Sequence, residues 1–203
     1  MMATTHALMG MALLSVTGLI APEQLPVAVT AAAAGGLFPD LDLLGNHRRT
    51  LHFPVLYSVL ALALAAVAVV APTAVTVALA AFVLSAALHS VVDALGGGLE
   101  VKPWQGNSDR AVYSHYHGRW IQPRRWIRYD GAPEDVLLAA GLAGFLLVSF
   151  DGTIQMAVLA FLGVSVLYGL CRKPLVWAGE YLVETLPPKV LDRIPFQFTE
   201  DLA

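Results

Sequence analysis

Apolar residues run along this chain in continuous blocks rather than on alternating faces. Six blocks lie near 5–21, 25–38, 53–71, 73–95, 135–150 and 153–170. Short breaks pair them off: Pro22-Glu23-Gln24, Pro72 and Asp151-Gly152. The third and fourth blocks are long enough to cross a hydrocarbon core of about 30 Å. The first, second and fifth are short, since a helix of about fifteen residues covers only about 22 Å. They predict helices that tilt within a thinned bilayer, continue into the interface, or cross only part of it. No solenoid-type repeat is visible. The pattern predicts an all-α fold, a polytopic membrane helical bundle of about six transmembrane segments, formed by a single membrane domain over 1–203.

Composition sharpens that picture. Of 203 residues, 57% are apolar and only 13% charged, against about 25% charged in soluble domains. The net charge of -3 gives no reason to expect a nucleic-acid partner. Cys171 is the single cysteine, so no intrachain disulfide is possible. The opening Met1-Met2-Ala3-Thr4-Thr5-His6 lacks a basic region, and a cleaved signal peptide is not expected.

Charge also orients the bundle. The Lys and Arg residues fall in one set of loops: Arg48 and Arg49; Lys102, Arg110, Arg119, Arg124, Arg125 and Arg128; Arg172, Lys173, Lys189 and Arg193. The opposite turns carry only Glu23 and Asp151. The positive-inside bias puts the basic side in the cytoplasm. The expectation is a multi-pass protein of the cell (inner) membrane with both termini cytoplasmic. Four parts follow: a four-helix part over 1–95, a cytoplasmic loop over 96–134, a helical hairpin over 135–170 and a cytoplasmic amphipathic tail over 171–203. The loop mixes arginines with Trp104, Trp120 and Trp126, a composition suited to lipid headgroups. In the tail, Trp177 and Tyr181 are four apart on one helical face, and Pro187-Pro188 ends the pattern.

On that map the unusual ionisable residues sort to one leaflet. His6 opens the first segment, the second ends at Pro39-Asp40-Leu41-Asp42, His52 opens the third, and the fourth carries His89 and Asp93 in its last turns. Ionisable groups in hydrocarbon cost roughly 2.5–3.5 kcal/mol even on the lenient scale, so they are functional candidates by default. His89 and Asp93, four apart, share a helix face at about 6 Å spacing. Asp40 and Asp42 repel one another unless a cation lies near. One carboxylate binding an ion while the other orients a His ligand would satisfy both. His47 reads as a loop residue, and Arg48 as a partner for Asp42 or a substrate phosphate. The convergence of His6, Asp40, Asp42, His52, His89 and Asp93 predicts a metal site. Imidazole with carboxylate favours zinc, with manganese as the alternative. More ligands than one four-coordinate ion needs, and no Cys, point to catalysis.

Thr5-His6, Gly36-x-x-Pro39-Asp40-Leu41-Asp42, His47-Arg48, His52 and His89-x-x-x-Asp93 together resemble the membrane-bound metal-dependent hydrolase family, related to a LexA-regulated inner-membrane hydrolase of bacteria. The order is also similar to that of zinc phospholipase C. The resemblance covers about the first hundred residues. It implies that His6, Asp40 or Asp42, His52, His89 and Asp93 are metal ligands. The chain lacks a second HxxxD or HxxxE, so one or two ions are expected rather than three.

The function expected is a metal-dependent hydrolase at the cytoplasmic face, acting on a lipid-like ester or phosphoester drawn from the membrane. Asp42 or Asp93 would take the proton of an attacking water, and Arg48, Arg110 or Arg119 would neutralise a phosphate. The alternative is a metal-ion or proton transporter, since intramembrane His and Asp also build ion pathways. The outer halves of the third and fourth segments are almost purely Ala, Val and Leu, which weighs against a path across. A non-catalytic membrane scaffold is the third reading.

Overall fold

The computed structural model describes residues 1–187 and Val190. Of the tail, Pro188, Lys189 and Arg193 lie outside the described residues. The chain is mostly helical: α1 (Ala3–Leu14), α2 (Thr17–Ile20), α3 (Leu25–Leu37), α4 (Pro54–Val70), α5 (Ala74–Val92), α6 (Pro133–Ser149) and α7 (Gly152–Thr185). Pro lies at the N-terminal end of α3, α4 and α6, where its missing N–H costs nothing. Thr73 caps α5 through a reciprocal bond with Thr76. Three stretches are long and apolar enough to cross a membrane: Ala3–Ile20, Ala74–Leu95 and Gly152–Thr185. Pro54–Val70 is a shorter apolar helix.

The contacts of α3 with α1 and α5 are built from small residues, and many large apolar ones lie outside. Ala28 and Ala32 of α3 meet Val77 and Ala81 of α5. A methyl group added at Gly10 would collide with Ser85, at Gly35 with the Phe82 backbone, and at Gly36 with the backbone of His6 and Ala7. α3 therefore sits nearly backbone-to-backbone against α1 and α5, the close approach that small residues permit between membrane helices. A second cluster joins Leu8 and Met11 of α1 and Val29 of α3 to Ala139, Leu146 and Val158 of the α6–α7 hairpin. Leu56, Leu62, Val69, Leu79, Leu137, Val148, Leu159 and Leu170 point outward and are exposed. Apolar side chains on the outer surface of so many helices suit a lipid surround, not water.

Two elements differ from the sequence expectation. α7 does not stop near 170 but continues through Pro174 to Thr185. It merges the sixth segment with the tail expected as a separate helix. A proline removes one helical hydrogen bond and strains the turn before it. Beyond it, Val176 is buried and Lys102 pairs with Glu180, which holds the helix on its course. At about 51 Å α7 is longer than a hydrocarbon core of about 30 Å. The second difference is a hairpin in the 96–134 loop. Val112–Ser114 (β1) and Arg119–Ile121 (β2) pair antiparallel, with Tyr113 opposite Trp120. Three-residue strands carry too little alternation to be seen in sequence.

The loop is pinned beneath the helix ends. The N–H groups of Arg124, Arg125 and Trp126 donate to the carbonyls of Ala94, Gly96 and Leu95. Asp135 at the start of α6 accepts bonds from the Met2 and Gly131 backbone and from Thr5 Oγ1. This buried carboxylate locks α6 to the first turn of α1.

Candidate metal centre

Four side chains from three parts of the chain meet where α3, α4 and α5 end on one side. Asp40 comes from the 3-10 turn Phe38–Leu44 that ends α3, His52 from the segment before α4, and His89 from the last turn of α5. Asp93 belongs to the 3-10 turn Asp93–Leu95 that follows α5. One ligand atom from each lies within 4.8 Å of all the others. His52 Nε2 is 3.2 Å from His89 Nε2. Asp93 Oδ2 is 3.3 Å from His52 Nε2 and 3.5 Å from His89 Nε2. Asp40 Oδ1 is 3.4 Å from His89 Nε2 and 3.8 Å from His52 Nε2. Ligands held about 2.1 Å from one ion in tetrahedral array stand about 3.4 Å apart; five of the six pairs here lie at 3.2–3.8 Å, and all six within 4.8 Å.

The hydrogen bonds around the group decide which atoms carry protons. His89 Nδ1 donates to the Gly36 carbonyl at 2.6 Å. His52 Nδ1 donates to Asp42 Oδ2 at 3.1 Å. In the neutral imidazoles both Nε2 atoms are then lone pairs, and they face each other across 3.2 Å. Two carboxylate oxygens face the same point, and Asp93 Oδ2 is buried with no hydrogen-bond partner. With both imidazoles neutral, four electron-rich atoms converge with no proton among them, and Arg48 Nε, 3.2 Å from Asp93 Oδ2, reaches only one of the four; a cation placed among them would offset the arrangement. The two imidazoles and two carboxylates therefore fit a divalent ion.

The other expected ligands, His6 and Asp42, stand one layer out. His6 Nε2 is 3.0 Å from Asp93 Oδ1, and its ring stacks on His89 with centroids 3.7 Å apart. The Met1 nitrogen lies 3.2 Å from the same Asp93 oxygen. Asp42 accepts from His47 Nδ1 (2.9 Å), His52 Nδ1 (3.1 Å), the Leu51 N–H (3.1 Å) and the Arg48 N–H (3.3 Å). Burial alone would raise the Asp42 carboxyl, but the bonds from His47, His52 and Leu51 hold it well below the usual carboxylate range. Both its oxygens are thus engaged, Oδ2 with His52 and the Leu51 N–H and Oδ1 with His47 and the Arg48 N–H, and the bond to His52 is the second-layer arrangement common around metal-binding histidines. That leaves Asp42 little capacity for the proton-acceptor role expected of it.

Arg48 pairs with Asp93, not through its side chain with Asp42. Its Nε is 3.2 Å from Asp93 Oδ2, and Nη1 donates to the Gly97 carbonyl at 2.9 Å. Asp40 and Arg48 both line a cavity of about 510 Å³. Its apolar lining includes Met2, Leu43, Val101 and Val164, and its polar lining Tyr168, Asp130 and Arg172. Arg110 and Arg119 are exposed on the hairpin and do not line this cavity. His115 and His117 also belong to the hairpin, bonded to the Arg49 carbonyl and Ser114.

Sequence reasoning missed three contributors: the Gly36 and Gly97 carbonyls, which leave no trace in residue type, and Asp135. The last had a signal, an acidic residue at the mouth of an apolar block. No protein-family model matches the chain, and neither a curated protein nor a solved structure matches it.

Proposed function

We propose that this chain is an integral membrane metal-dependent hydrolase, acting at the cytoplasmic face on a lipid-like ester or phosphoester. The observation that carries the reading is the four-atom convergence with one member, Asp40, opening on a cavity that is partly apolar. A divalent ion bound there supplies a Lewis acid and a water of lowered pKa. The chain's own residues do the rest. Asp42 and the Gly36 carbonyl fix the two imidazoles. Asp40 is the carboxylate placed to take a proton from a water in the cavity. Met2, Leu43, Val101 and Val164 offer hydrocarbon contact to an amphiphile. The six-segment topology and the resemblance to membrane-bound metal-dependent hydrolases belong to the same proposal.

The test is a screen of phospholipids and generic phosphoesters and esters, using detergent-solubilised protein with and without chelator. Turnover lost on chelation and restored by zinc or manganese is expected, and Asp40→Asn should lower it at least about a hundredfold. A bound ion with no turnover in any class would favour a second reading. Four protein ligands are also what a closed structural zinc site uses.

The orientation has its own check. Cysteines placed at Glu23 and Asp151, in a Cys171→Ser background, should react with an impermeant reagent on intact cells. One at Arg119 should react only after permeabilisation. The reverse pattern would move the site to the outer face.

A further inference from the structure

The guanidinium of Arg48 stands where a second metal ion would have to sit. We infer that the centre is mononuclear, with Arg48 as its built-in second electrophile gripping a phosphoryl oxygen of the substrate. This rests on the metal-centre reading above and narrows its substrate class to phosphoesters.

Paired-metal sites hold their ions about 3.5–4 Å apart and usually share a carboxylate between them. Asp93 is the carboxylate of this group that reaches both ways. Its Oδ1 is occupied by His6 Nε2 at 3.0 Å and the Met1 nitrogen at 3.2 Å. Its Oδ2 has Arg48 Nε at 3.2 Å. An ion on Oδ2 lies within about 5 Å of that fixed positive charge; the first ion has Asp40, His52 and His89 as further ligands to offset this, and a second ion bridged through Oδ2 would not. At an effective dielectric of about 20, the repulsion weakens binding roughly two hundredfold for each unit of the ion's charge. Among the described residues, no further group of His, Cys, Asp or Glu stands ready to offset it.

Arg48 is also held with unusual firmness. It is a non-glycine residue at φ 57°, a left-handed conformation that costs energy and persists only where its surroundings impose it. Asp42 Oδ1 accepts its N–H at 3.3 Å, and the Tyr113 N–H donates to its carbonyl at 2.9 Å. The Gly97 carbonyl accepts from Nη1. The strained backbone delivers a buried guanidinium to the wall of the cavity that Asp40 also lines. Nη1 donates to Gly97 and Nε makes a charge contact with Asp93 without a hydrogen bond, which leaves the Nη2 end to donate to a ligand. A planar cation beside an ion is suited to a tetrahedral phosphoryl group, whose oxygens can be shared between the two.

Two measurements test this. Elemental analysis of zinc-loaded protein should give one ion per chain in wild type and in Arg48→Lys, which keeps the charge, and Arg48→Met is compared with them after loading with one equivalent of zinc. Calorimetric titration with inorganic phosphate should then show binding about tenfold or more weaker in Arg48→Met at unchanged metal content, and a smaller loss in Arg48→Lys, which keeps the charge without the fork. Two ions per chain in wild type would overturn the proposal, as would equal phosphate affinity in all three proteins. If Arg48→Met does not fold, Arg48→Lys alone decides, and unchanged affinity there overturns it. No ion at all in wild type would sink the metal-centre reading itself, and this proposal with it.

Discussion

Replacing His89 by alanine is expected to lower metal affinity by about a hundredfold or more, while His117→Ala leaves it unchanged. His89 offers Nε2 to the group of four and is fixed from behind by the Gly36 carbonyl at 2.6 Å. Its ring is also clamped against His6. Mutating partners that merely orient a ligand typically costs 10–100-fold in affinity, so removing a ligand held this rigidly should cost no less. His117 is equally an imidazole, but its Nδ1 is engaged with Ser114 at 2.9 Å on the exposed hairpin. Equilibrium dialysis with zinc on purified protein would measure both, with Asp40→Ala expected to resemble His89→Ala. Equal affinity across the three variants and wild type would remove the centre from consideration.

How much of this site sequence could reveal depends on which spacing carries each residue. The i,i+4 relation of His89 and Asp93 survives into the structure because a helical spacing is a geometric statement. Both supply an atom to the same cluster. Asp40 and Asp42 look equivalent in sequence and are not. They lie in a 3-10 turn, where three residues complete a revolution, so two positions apart they point in different directions. Asp40 turns toward the imidazole nitrogens and Asp42 toward His47 and the back of His52. Sequence placed His6 at the right helix end, but its role behind Asp93 depends on how α1 docks, which no local pattern encodes. The same limit hid the course of α7. The apolar block ends near 170, and what holds the helix on is tertiary: the burial of Val176 and the pairing of Lys102 with Glu180, far apart in the chain.

Gly35→Ala is expected to destabilise the protein and empty the metal site, against its effect on an isolated helix. In a solvated helix interior, alanine is about 1 kcal/mol better than glycine. At Gly35 the new Cβ would lie 2.1 Å from the Phe82 carbonyl oxygen and 2.8 Å from its carbon, both backbone atoms of α5. A flexible side chain could step aside, but a helix backbone cannot. α3 would have to move off α5, and overpacking of this kind typically costs about 1–3 kcal/mol. The propensity gain is therefore outweighed. The displacement also has a chemical consequence, because α3 leads directly to Asp40 while α5 carries His89. Separating the two helices stretches the 3.4 Å approach of Asp40 Oδ1 to His89 Nε2. Gly144→Ala is the matched control, since nothing lies within 4 Å of the added methyl there. Thermal unfolding in detergent should show Gly35→Ala melting about 5 °C or more below wild type with reduced zinc content, and Gly144→Ala at or slightly above it. A Gly35→Ala protein as stable and metal-loaded as wild type would mean that α3 and α5 do not pack at this distance, and the geometry built on that contact would fall with it.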